Sequence, residues 1–151
     1  MNVQRQKWAV EIATSFILLG FITFAPFPAQ ADQDIPDVVL AGLNEYKANG
    51  PEAAIKAWIK GSAYETSVEA LSQANLFRQV ETMYGKFQGY QLIKNKEITK
   101  SSKVIYITMD FERGPVFASF LVFQGKEKRV IASFNFNTKP EAILPNCFLS
   151  Q

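Results

Sequence analysis

Two basic runs hold the most concentrated chemistry in this sequence: Lys94, Lys96, Lys100 and Lys103, then Lys126, Lys128 and Arg129, offset only by Glu97 and Glu127. Gathered at one place, they would form a positive rim attracted to anionic lipid headgroups, cell-envelope polymers or an acidic protein partner. The plainer role of such runs is to charge exposed hairpin edges and discourage sheet aggregation. The remaining residue types exclude more than they suggest. The 151 residues include no histidine and one cysteine, Cys147. This removes His-based triads, His-ligated metals, Cys-rich zinc sites and intramolecular disulfides. Asp32, Asp34 and Asp37 lack the glycine and distal Glu of a calcium loop and read instead as a solubilising start to a helix. No glycine-rich phosphate loop or nucleophile elbow occurs. No metal and no cofactor is expected, and any catalysis has to rest on a carboxylate or a tyrosine.

The elements that position these residues follow a leader. Arg5 and Lys7 precede an uncharged run from Ile12 to Ala25, and Ala29-Gln30-Ala31 follows two prolines. That pattern predicts a secretory signal peptide over residues 1–31, cleaved after Ala31, and export to the periplasm or the extracellular space. The apolar run of 14 residues is shorter than the roughly 20 a spanning helix needs, so a retained anchor is the weaker reading. Residues 32–145 then form a single domain, with 146–151 a flexible tail. Between Asp32 and Gly85 eight acidic residues face four basic ones, a net of −4; from Lys86 onward five face ten, a net of +5. So small an overall excess argues against a nucleic-acid partner.

Helical spacing of Val39, Leu40, Leu43 and Tyr46 predicts a first helix over 38–48, stopped by Asn49-Gly50. Pro51 opens a second helix that ends near Gly61, and Val68, Leu71, Leu76, Phe77, Val80, Met83 and Tyr84 recur at threes and fours in a third, from about Thr66 to a Gly85 cap. The period then changes to two. Strands are expected at Phe87–Lys94, Lys103–Phe111, Val116–Phe123 and Arg129–Asn137, with short connections that make an antiparallel meander. The fold class is therefore α+β, helices on one face of a curved four-stranded sheet. Pairing Phe111 with Val116 and Val122 with Val130 puts Ile105, Ile107, Met109, Phe111, Val116, Ala118, Phe120, Val122, Val130, Ala132, Phe134 and Phe136 on the helix side. Tyr106, Thr108, Asp110, Phe117, Ser119, Leu121, Ile131, Ser133 and Asn135 are left on the outer face.

Three helices, a long meander and a Trp in the second helix resemble the nuclear transport factor 2-like superfamily, a cone-shaped α+β scaffold also called cystatin-like. The segments Tyr84–Tyr90, Glu112–Phe117 and Phe136–Pro145 are similar to uncharacterised exported bacterial proteins of that type. The resemblance implies a pocket inside the cone and, in the enzymes of the superfamily, a carboxylate base beside a tyrosine or acid. Asp110 and Tyr106 come nearest to that pairing, but they share the outer face, where a solvated carboxylate is the better reading.

Pocket-mouth candidates are Trp58, Arg78, Tyr84 and Tyr90, around a cavity suited to a small apolar ligand, with simple core packing of Trp58 and Tyr84 as the alternative. The apolar outer face makes Phe117, Leu121, Ile131 and Tyr106 interface candidates for a homodimer or an envelope protein partner. The sequence therefore favours a non-enzymatic exported binding domain. Its alternatives are an isomerase, dehydratase or hydrolase using a carboxylate in an apolar cone, and an envelope-associated protein with weak membrane-surface contact through the basic rim. Cys147 reads as a tolerated free thiol, with pairing between chains in an oxidising compartment as the alternative.

Overall fold

The computed structural model describes residues 34–149; the expected leader, its cleavage point and the last two residues lie outside that range. Helix α1 spans Asp37–Asn49 and stops at Gly50, whose φ of 84° only glycine adopts cheaply and whose N–H closes on the Tyr46 carbonyl at 2.9 Å. Pro51 then occupies the first turn of α2, Pro51–Ile59, where a missing N–H costs nothing. Helix α3 spans Val68–Tyr84. It begins two residues later than the spacing predicts because the Ser67 hydroxyl accepts the Ala70 N–H at 3.2 Å and so caps it.

Four strands follow as an antiparallel meander in the order β1-β2-β3-β4: Phe87–Thr99, Ser102–Phe111, Gly114–Gln124 and Arg129–Asn137. Helices first and strands second give the expected α+β architecture. Strand β1 runs five residues beyond its predicted end. From Lys96 to Thr99 every side chain is exposed, so no apolar alternation marks this arm, and backbone pairing with β2 holds it.

The register differs from expectation in two ways. Met109 faces Val116, Ile107 faces Ala118 and Ile105 faces Phe120, a displacement of two residues that leaves every β2 and β3 side chain on its expected face. In β4 the faces change. Phe120 pairs with Phe134 but Val122 pairs with Ile131, and the irregularity between them adds one residue to β4. Ile131 is thereby turned to the helix side, where it is 2% exposed, and Val130 pairs with Phe123 on the outer side. Ile131 is a core residue and not an interface candidate.

The core lies between sheet and helices. Trp58 sits with ring centroids 5.0 Å from Phe120, 5.8 Å from Phe134 and 6.2 Å from Phe77, and Phe77 stacks on Phe136. These rings pack against one another between the helices and the sheet. The C-terminal segment adds a short 3-10 turn at Pro140–Ala142 and a single helical turn, α4, at Asn146–Leu149. Leu144 is buried without belonging to the main core, and the Phe148 ring meets Tyr106 edge-on at 5.5 Å. The stretch expected as a tail thus packs against the outer sheet face at least as far as residue 148.

Candidate functional site

The four pocket-mouth candidates do not converge. Trp58 is 1% exposed and its indole N–H donates to the Val39 carbonyl at 3.0 Å, so its one polar atom is spent on helix packing. Arg78 is exposed and bridges two helices by pairing with Glu52 at 3.0 Å. Glu52 also takes Lys56 at 2.8 Å, and hydrogen bonding to Lys56, followed by that cation's charge and then Arg78, holds its carboxyl below the usual range. Tyr84 lies against Gly114 at the β2–β3 turn, while Tyr90 packs on the core from β1 opposite Met109.

Of the outer-face candidates, Phe117 and Leu121 remain half-buried on the sheet, and Tyr106 is partly covered by Phe148. Asp110 accepts the Gln91 side-chain amide at 2.8 Å on the same outer surface, outside any enclosed space.

A tyrosine–carboxylate neighbourhood does exist elsewhere. Tyr46 of α1 and Glu81 of α3 line an open cleft of about 380 Å³ with Lys47, Lys86, Phe87 and Glu112. The Tyr46 hydroxyl is buried without a partner in hydrogen-bond geometry. Burial first, then the charge and proximity of Glu81, push its ionisation far above the ordinary tyrosine range, so it stays a neutral phenol. Tyr46 lies on the core stripe of the sequence, and no spacing signals its pairing with Glu81, since the two come from different helices, α1 and α3. The cleft opens to water, whereas general-base chemistry works with enclosure.

The basic residues are brought together as the meander predicts. The β1–β2 and β3–β4 connections fall at the same end of the sheet. Lys100, Lys103 and Arg129 line one cleft there, while Lys126 and Lys128 line the next beside Phe123. Lys94 and Lys96 pair with Tyr106 and Val104 and extend the positive surface up the outer side of β1. Lys128 lays its ammonium over Gly61, just past the C-terminus of α2, where the helix dipole favours positive charge. Among the described residues both ion pairs are made by Glu52, and none of the seven rim cations has a carboxylate within ion-pair distance.

Two exposed apolar side chains share this end: Ile98, 54% exposed on the β1 arm, and Phe123, 41% exposed at the end of β3. Nothing in the sequence marks either one, because Ile98 belongs to an expected loop and Phe123 to a strand end. Among the described residues no three His, Cys, Asp or Glu side chains cluster as a metal site, and no helix is long and apolar enough to cross a membrane. In comparison with known proteins, no family model, no curated protein and no solved structure matches the chain.

Proposed function

We propose that this protein is a non-enzymatic, exported binding domain that docks on an anionic lipid surface through the hairpin end of its sheet. The observation that carries the reading is the mixture at that end: unpaired cations around exposed Ile98 and Phe123. Lysines alone suit any polyanion, whereas lysines around exposed apolar side chains suit a lipid interface, which accepts the apolar groups between its charged headgroups. The apolar-ligand reading has less support, because Trp58 is spent on core packing and the four pocket-mouth candidates do not converge. The homodimer reading loses Ile131 to the core and part of Tyr106 to Phe148. Membership of the nuclear transport factor 2-like superfamily, proposed on the segments quoted above, would leave the choice open, since one scaffold hosts enzymes and binders alike.

The test is co-sedimentation of residues 32–151 with vesicles of phosphatidylcholine, with and without phosphatidylglycerol. Binding is expected only with phosphatidylglycerol, and it should fall as salt shortens the Debye length from about 10 Å at 0.1 M to about 3 Å at 1 M. Negligible sedimentation at low salt would remove the proposal.

A further inference from the structure

Within this positive end one feature is more than a charged surface. Strand β2 starts at Ser102, yet the ladder continues past it, for the Gln124 N–H donates to the Ser101 carbonyl at 2.7 Å. The β1–β2 turn is thereby fixed against the end of β3, and the Arg129 that opens β4 lies across from Gln124. Between them is a cleft of about 280 Å³. Its lining brings together Lys100, Lys103 and Arg129 beside the turn residues Ser101 and Ser102. Glu97 is its single carboxylate. It pairs across the strands with Lys103 but is not within ion-pair distance of it, so the lining keeps an excess of two positive charges.

Arg129 is oriented as well as charged. Its Nε–H donates to the Gln124 side-chain oxygen at 3.3 Å, which leaves the two terminal nitrogens of the guanidinium for another acceptor. A planar fork and two ammonium groups fit a compact multivalent oxyanion better than they fit a carboxylate. We infer that this cleft is a binding site for one phosphate group, held by Arg129, Lys100 and Lys103. The inference rests on the docking reading above for its setting, but not for its chemistry. The phosphate can belong to a lipid headgroup or to a soluble phosphate, and the donors are the same for both.

The experiment has a soluble arm and a lipid arm. In the first, glycerol 1-phosphate is titrated into the isotopically labelled mature protein while amide resonances are followed, with acetate as the control anion. Saturable shifts centred on residues 100–103 and 129 are expected with the phosphate and not with acetate. Arg129→Gln and Lys103→Gln should each weaken that binding roughly tenfold or more, the scale of a lost charge-assisted hydrogen bond. Lys126→Gln removes the same charge outside the cleft and should weaken it far less. Shifts that never saturate, that acetate reproduces, or that Lys126→Gln reduces as much as Arg129→Gln would overturn the site.

In the second arm the same variants are sedimented with phosphatidylglycerol vesicles. If the vesicles bind but Arg129→Gln behaves like Lys126→Gln in both arms, the cleft inference fails and the docking reading stands. If glycerol 1-phosphate saturates the cleft and vesicles are not bound, the site stands with a soluble phosphate as its source and the docking reading fails.

Discussion

At the scale of single residues the tightest constraint is Gly42. It lies inside α1, where glycine ordinarily costs about 1 kcal/mol relative to alanine. Its place is explained by Trp58: a Cβ on Gly42 would stand 2.0 Å from the indole nitrogen, and that nitrogen is tied to the Val39 carbonyl one turn earlier. The indole therefore lies flat on the helix backbone and cannot retreat, because Phe120 and Phe134 close its other side. Gly42→Ala should destabilise the domain by roughly 1 to 3 kcal/mol, the usual cost of overpacking, despite alanine's better helix propensity. Urea unfolding followed by the fluorescence of Trp58 measures this, and a variant as stable as the parent would show that the ring does not rest there. The sequence placed Trp58 in a helix and offered core packing as one of its two roles. It offered no sign that Gly42 is its counterpart, because the contact joins two helices and leaves no periodicity in either.

At the scale of elements, what could be read from sequence depended on which elements carry an apolar rhythm. α1 and α2 do, as do β2 and β3, whose faces match expectation even with the pairing displaced by two residues, because a shift of two preserves the pleat. On α3 the expected stripe holds only in part: Phe77 and Val80 are buried, whereas Val68, Leu76 and Met83 are exposed and Ala74 takes the buried place instead. β4 carries the same alternation until its bulge, which no composition marks: Val130, Ile131 and Ala132 are all apolar, so either phase suits the pattern. The β1 arm and the C-terminal turn were missed for the opposite reason. The arm is exposed on both faces, and the turn owes its place to Leu144 and Phe148 meeting surface that the strands had already built. The bulge makes a prediction that an unbroken strand would reverse. Ile131→Asp puts a charge among core residues without a partner and should cost at least about 3 kcal/mol, whereas Val130→Asp on the outer side should cost about 1 kcal/mol or less. Chemical denaturation of the two variants decides it, and the opposite ranking would mean that β4 runs without the extra residue.

At the scale of the whole molecule, the small net charge conceals a separation along the sheet. The helical half carries a net of −4 and the strand half +5, and the rim cations collect where β1 ends and β4 begins. Lys47 and Lys86 belong to the opposite end, in the cleft with Tyr46 and Glu81 beside the start of β1. A strand the length of β1 spans about 40 Å, several Debye lengths at 0.1 M salt, so charges at its two ends act on a surface independently. Replacing Lys100 and Lys126 by glutamine, or Lys47 and Lys86 by glutamine, changes the total charge equally. Only the first pair faces the proposed surface. At about 1 kcal/mol per cation near an anionic membrane, it should lose roughly 30-fold in vesicle affinity while the second pair loses little. Equal losses in the two double variants would mean that the molecule responds to an anionic surface through its total charge and not through one end. Sided docking would then fail even if vesicle binding itself were found.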